Sequence, residues 1–287
     1  MTMFEDVKIA LQYLLPGHLL SRTVGQLALC EIPAVKNRLI HLAIQRFKID
    51  LADAEISDPE GYPHFNAFFT RALKADARTL AGADWVTSPA DGCLYQAGHI
   101  TEDGTLRAKG HEFTVDSLLG HSDDTTTFIG GEFVTVYLSP QDYHRVHMPM
   151  DGELKRMIHV PGRLFSVNTT TTDRIPGVFA RNERVVLHFK TGHGPFVMVL
   201  VGAMLVASIE TTWAGIVTPP GISISDWRYH SGSKHSFKQG DEIGRFRFGS
   251  TVILMVPKQI GAALSALQPG RAVKMGEGLA ALPKTAT

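Results

Sequence analysis

Arg247-Phe248-Gly249-Ser250-Thr251-Val252-Ile253-Leu254 places a Gly-Ser peptide bond directly ahead of a run of strand-forming residues near the end of a 287-residue chain. Residues 251–256 are β-branched or apolar without a break, the pattern of a buried strand. Glycine lacks a Cβ, so a neighbouring group can approach its carbonyl closely. The Ser250 hydroxyl is therefore placed to attack the Gly249 carbonyl from within the same chain. A plain turn entering a strand uses the same two residues, so the pair alone does not separate chemistry from structure.

Working outward, short Val/Ile/Thr/Phe runs at residues 133–138, 184–189, 196–201, 204–210 and 252–256 alternate with turn signals at Asp91-Gly92, Asp151-Gly152, Gly192, Pro219-Pro220 and Gly240-Asp241. This is the pattern of a β-rich domain built from hairpins, here residues 81–287. Residues 1–80 read differently. Val7, Leu11, Leu14 and Leu15, then Leu20, Val24, Leu27 and Ala28, recur near a 3.6-residue period, broken by Pro16-Gly17. Val35, Leu39, Leu42 and Phe47 suggest a third helix, and Phe65-Asn66-Ala67-Phe68-Phe69 a short aromatic one. The expected class is α+β, a helical N-terminal region on a predominantly β domain of barrel-like or sandwich-like form. The helical region is either a subdomain packed on the core or an interfacial anchor with its apolar face in a lipid headgroup layer.

Lys+Arg and Asp+Glu are both 28, so no basic field attracts nucleic acid. Cys30 and Cys93 form no C-x-x-C and no secreted framework. Acidic Glu5 and Asp6 speak against a signal or transit peptide. The longest apolar stretch, residues 196–209, is interrupted by Gly202 and Ser208 and is shorter than the ~18 residues of a spanning helix.

Three further groups could do chemistry. Ser88-Pro89-Ala90-Asp91-Gly92 holds a carboxylate in a tight turn. Tyr137-Leu138-Ser139-Pro140-Gln141-Asp142-Tyr143-His144-Arg145-Val146-His147-Met148-Pro149 carries two imidazoles three residues apart. With Ser250, an Asp and a His are the parts of an activated-hydroxyl relay, in which the base takes the serine proton and the carboxylate orients the base. His144 and His147 also fit a metal site or ordinary structural roles among 13 histidines. No H-E-x-x-H motif or cysteine ligand supports metal.

These blocks, together with Phe65–Leu73, Ala108-Lys109-Gly110-His111, Val160-Pro161-Gly162-Arg163-Leu164-Phe165-Ser166-Val167-Asn168, Ala180-Arg181-Asn182-Glu183-Arg184-Val185, Trp213-Ala214-Gly215 and Gly249-Ser250-Thr251, resemble in order the bacterial phosphatidylserine decarboxylases. The family often shows Leu-Gly-Ser-Thr at its maturation site; here the first position is Phe248. The resemblance implies a proenzyme that cuts itself between Gly249 and Ser250 and needs no metal. It implies that His147, oriented by Asp91, deprotonates Ser250, and that Ser250 becomes a pyruvoyl group forming a Schiff base with the substrate amine. His144 would return a proton after carbon dioxide leaves. Phe165, Ser166, Val167 and Asn168 would line the headgroup pocket. Further expectations are that the two cleaved chains stay associated, that the cleaved heterodimer pairs into a homodimer, and that the enzyme is peripheral on the cytoplasmic side of the cell membrane. The alternatives are a metal-dependent hydrolase using His144 and His147, and a non-catalytic membrane-peripheral relative.

Overall fold

The computed structural model describes residues 9–10, 12–13, 17–108, 111–122, 124–204, 208–218, 221–230, 235–247, 250–260 and 263–283. Strands β1 (Trp85–Thr87), β2 (Gly92–His99), β3 (Thr105–Ala108), β4 (His111–Thr114), β5 (Glu132–Leu138), β6 (Arg145–His147), β7 (Gly152–Val160), β8 (Arg184–Thr191) and β9 (Gly194–Val201) come first. They are followed by β10 (Ile209–Thr211), β11 (Gly215–Ile216), β12 (Ser225–Arg228), β13 (Ser236–Phe237), β14 (Glu242–Phe246), β15 (Ser250–Val256), β16 (Ala272–Val273) and β17 (Gly278–Ala281).

One large sheet has the order β12-β7-β8-β9-β15-β5-β2-β16, with β13 also paired to β7. Its pairings are antiparallel. β15 is an inner strand: Ser250 to Val256 pair with Leu138 to Glu132 of β5, and Thr251 to Met255 pair with Val201 to Val197 of β9. All seven of its residues are buried. Alternation sends Val252, Leu254 and Val256 into one apolar cluster with Val136 and Leu200, and Ile253 and Met255 into another with Phe133 and Val199. Burial on both faces explains why the sequence runs apolar there without alternating.

A smaller sheet, β11-β10-β14-β6, contributes Ile209, Ile243, Phe246 and Val146 to the first cluster and so covers that face. The second face is covered by the β3–β4 hairpin, the helix Val115–Leu119 and Phe179. The barrel expectation is corrected: the large sheet ends at β12 and at β16, and no pairing among the described residues closes it. The 204–210 strand is also shorter than expected, since β10 begins at Ile209; residues 205–207 lie outside the described residues.

Helices Gly17–Ala28 and Pro33–Phe47 precede the β domain. The second opens on a proline, whose missing N–H would be unsatisfied there in any case. It closes on Lys48 in the left-handed region. The residues it buries are Lys36, Ile40 and Ala43, while Leu42 faces outward. Ile40 and Ala43 join Tyr62, Phe65, Phe68 and Phe69 in a third cluster confined to residues 28–69. Of the helix expected before Pro16, residues 9–10 and 12–13 are helical and the remainder lies outside the described residues. Among the described residues no helix is long and apolar enough to cross a membrane.

Candidate active site

Ser250 opens β15 with 0 % exposure, and its Oγ has no hydrogen-bond partner among the described residues. Gly249 and Phe248 lie outside the described residues. The strand partner of Ser250 is Leu138. The chain leaves β5 there and turns through Ser139 and Asp142, whose carboxylate accepts from the Ser139 N–H and Oγ–H, each at 2.7 Å. Burial holds the Asp142 carboxyl above its usual range.

His144 closes this turn. Its Nε2 lies 3.1 Å from the Ser139 carbonyl oxygen. A carbonyl only accepts, so Nε2 carries the hydrogen and Nδ1 holds the lone pair. That Nδ1 is buried and has no partner among the described residues. The ring stacks on Phe69 at 4.1 Å. Burial, aided by the nearby Arg71 cation, pushes the imidazole down to about 3, so it is neutral at physiological pH. Ser250 and His144 thus sit at one end of the sheet, joined through Leu138-Ser139.

His147 ends β6 and is fixed at both nitrogens. Nδ1 donates to the Gly240 carbonyl at 2.7 Å, which leaves Nε2 to accept from the Tyr143 hydroxyl at 2.8 Å. Burial lowers the pKa of this imidazole and raises that of the Tyr143 phenol, so the ring stays neutral and the phenol stays a donor. Gly240 has φ +88°, and a Cβ there would lie 2.7 Å from Leu80 Cδ1. The carbonyl that selects the tautomer therefore depends on glycine.

Asp91, proposed to orient His147, makes no hydrogen bond to that ring. Its carboxylate accepts from Arg78 Nε at 3.1 Å, from Arg78 Nη2 and from the Met275 N–H at 2.8 Å. Arg78 also donates to Asp53 at 2.7 Å. The two ring nitrogens of His147 are already occupied. The 88–92 turn does adjoin this histidine, since the His147 N–H donates to Pro89 O at 2.8 Å. Asp91 favours the protonated ring through space, as the weakest of several influences. Gly92 is required because a Cβ would lie 2.3 Å from the Tyr137 carbonyl oxygen.

Phe165, Ser166, Val167 and Asn168 lie on the other side of β15. Phe165 N–H donates to Asn182 Oδ1 at 3.0 Å, and Asn182 Nδ2 donates to the carbonyls of Phe165 and Gly202, both at 2.8 Å. Gly202 follows Val201, the partner of Thr251, so this segment is tied to the Ser250 end of the sheet. Phe165 and Val167 are buried, the Ser166 N–H donates to Gln12 Oε1 at 2.8 Å, and Asn168 is exposed with its Oδ1 accepting from Thr171 N–H at 2.9 Å.

Sequence reasoning missed Arg78 altogether and gave Gly240 and Phe69 no part in the site, naming them only within a turn and an aromatic helix. Each reaches the site from a distant segment, and no local spacing announces it. Tyr143 lies inside the quoted histidine block, yet nothing in the spacing shows its hydroxyl reaching His147. Among the described residues no three His, Cys, Asp or Glu side chains come together as a metal-ligand set.

A family model described as phosphatidylserine decarboxylase matches residues 65–281, and one described as PSD matches residues 7–48. A phosphatidylserine decarboxylase proenzyme of Azotobacter vinelandii is 52 % identical over 274 residues, which cover 93 % of this chain and 95 % of that one. Proteins of the same name from Ectopseudomonas mendocina and Pseudomonas aeruginosa are 51 % and 50 % identical, covering 96 % and 99 % of this chain and 98 % and 99 % of their own. With a buried, unbonded serine at the head of an inner strand and matches of this length on both sides of it, the chain belongs to the phosphatidylserine decarboxylase family.

Proposed function

We infer that this chain is a self-cutting proenzyme whose mature form decarboxylates phosphatidylserine to phosphatidylethanolamine and carbon dioxide. The observation that carries the reading is the Ser250 hydroxyl, wholly buried and bonded to nothing among the described residues. A buried polar group without a partner costs about 1–3 kcal/mol. In a nucleophile that cost has a use, because no hydrogen bond has to be broken before attack.

Ser250 Oγ adds to the Gly249 carbonyl carbon while its proton passes to a base. The C–N bond between the residues then breaks, and the amide becomes an ester. Loss of the Ser250 Cα proton with departure of the Gly249 carboxylate leaves dehydroalanine, which water converts to a ketone and ammonia. Having nucleophile and carbonyl in one chain replaces a bimolecular encounter with an oriented one. His147 is the base of this reading: it is neutral, and with Nδ1–H held by Gly240 its basic lone pair is on Nε2. Tyr143 stands on that lone pair, so the proton passes through the phenol or the phenol swings aside.

The resulting pyruvoyl group, when formed, supplies a ketone that takes up the substrate amine and accepts the electron pair released with carbon dioxide. The residues present fit the formation of such a group, since the Ser250 Oγ that would depart with the Gly249 carboxylate is buried and unbonded among the described residues, and the adjoining turn carries a ring nitrogen without a partner among them. In proton return by His144 the Nδ1 lone pair first takes up a proton from the substrate ammonium and then delivers it, because the Nε2–H is held by the Ser139 carbonyl. Phe165, Ser166, Val167 and Asn168 remain our assignment for the headgroup.

Cutting after residue 249 of 287 leaves a 38-residue piece beginning with β15. Five of its strand residues, Val252 to Val256, are buried apolar side chains, each worth about 1.5–3 kcal/mol. That favours retention of the piece after cleavage. Pairing of two cleaved protomers, and a peripheral position on the cytoplasmic face of the membrane, complete the proposal. Leu19, Leu27, Ile32 and Leu42, all exposed, support residues 1–80 as the membrane-facing region.

Intact mass spectrometry tests the reading. The expected result is two chains, with the 38-residue one lighter by one ammonia than its serine-started form, and Ser250→Ala is expected to run uncut. A single 287-residue mass with no carbonyl that hydrazine can trap would overturn it.

A further inference from the structure

A cavity of about 600 Å³ separates the helix Gly17–Ala28 from residues 221–222 and is lined by His18, Leu19, Arg22, Gly162, Glu183 and Ile222. His18 Nε2 donates to the Gly162 carbonyl at 2.8 Å, tying the first turn of the helix to the 161–162 turn. On the far rim Ile222 is 99 % exposed, and Leu19 opposite is 65 % exposed. Ile224 and Trp227 beyond it are also exposed. Arg22 faces solvent and has no ion pair among the described residues.

We propose that Ile222, flanked by Ile224 and Trp227, is a second lipid contact that enters an anionic bilayer beside Leu19, with Arg22 meeting a lipid phosphate or carboxylate at the mouth of the cavity. The proposal rests on the reading that the substrate is a membrane lipid. Three features select a bilayer over a second copy of the chain. The apolar residues stand singly between Ser223, Ser225 and Asp226 instead of forming the packed patch of a protein interface. A tryptophan beside isoleucines suits the water–lipid boundary. An unpaired arginine next to them complements an anionic headgroup. Two contacts on opposite sides of one cavity would also set the orientation of the chain on the surface, which a single helix leaves free to roll.

The test uses the full chain carrying Ser250→Ala, so that turnover plays no part, and measures co-sedimentation with phosphatidylcholine vesicles with and without phosphatidylserine. Ile222→Glu is expected to weaken binding by about tenfold or more, whereas Ile222→Trp keeps it at the parent level. Arg22→Ala is expected to lower binding only where phosphatidylserine is present. Unchanged binding by Ile222→Glu would overturn the proposal. So would a smaller oligomer of Ile222→Glu in sedimentation velocity, which would mean that a second copy covers the residue. Decarboxylation by the unsubstituted chain is read separately, so an active enzyme with an indifferent Ile222 sinks this inference and leaves the function standing.

Discussion

The Ser250 end of the large sheet and the two N-terminal helices break the ordinary rule of folding in opposite directions. Around Ser250, polar groups are kept from water without full hydrogen bonding: Ser250 Oγ, Thr251 Oγ1 and His144 Nδ1 are buried and unpartnered among the described residues. Along the helices, leucines that could be buried are left in water. Both arrangements cost stability in the isolated molecule. The first keeps reactive atoms unsolvated and neutral, and the second suits a surface that water does not cover.

The comparison can be attacked experimentally from the strongest expected effect downward. His147→Ala removes the proposed base, and general-base loss is typically worth 10²–10⁴-fold, so maturation followed by gel shift should slow by about that factor. Maturation at the parent rate would take His147 out of the mechanism. Next, Arg78→Ala strips a cation from the buried Asp91 carboxylate. Breaking one side of such a pair costs about 3–5 kcal/mol, which denaturant unfolding of the uncut Ser250→Ala background should register. A loss below about 1 kcal/mol would mean that the clamp is slack and that Asp91 is free to turn to His147.

Acid should weaken the fold. His144 and His188 are pushed by burial down to about 3 and about 4, and His147 is lowered too, whereas the unfolded chain takes up protons near the usual 6.5. Between those values the unfolded state binds more protons. Stability is therefore full above about pH 6.5 and falls as pH drops toward 4, by about 1.4 kcal/mol per pH unit for each such histidine. Asp142, raised by burial, acts in the opposite sense. Unfolding midpoints that stay flat from pH 7 to 5 would contradict the buried neutral rings.

Smaller effects sharpen the contrast. Tyr143→Phe removes one hydrogen bond, worth about 1 kcal/mol, and should slow maturation by about fivefold; faster maturation would show that the phenol masks the base. Leu42→Ser should change unfolding stability by no more than about 0.5 kcal/mol, as expected at an exposed site. A large loss in calorimetry would mean that the outward face of helix Pro33–Phe47 is packed.

What the sequence disclosed follows from the range of each signal. β15 was legible because a strand buried on both faces leaves an unbroken apolar run, and Pro33–Phe47 because its apolar residues repeat near a helical turn. Open against closed sheet was not, since closure depends on pairing between strands far apart in the chain, such as β12 with β7. The proposed actors, Ser250, His144, His147 and Asp91, could be named by residue type alone. Their wiring was not: Asp91 meets Arg78 from thirteen residues away and Met275 from the other end of the chain. The tautomer of His147 depends on Gly240, ninety-three positions downstream.

The inner position of β15 also fixes an order of events during biosynthesis. Its neighbours β5 and β9 are made before it. The scissile bond can be held in its reactive setting only once that gap has been filled. On the proposed mechanism scission would thus act as an inspection step: a chain that has failed to assemble its sheet would not gain its prosthetic ketone, and a misassembled enzyme would stay chemically silent.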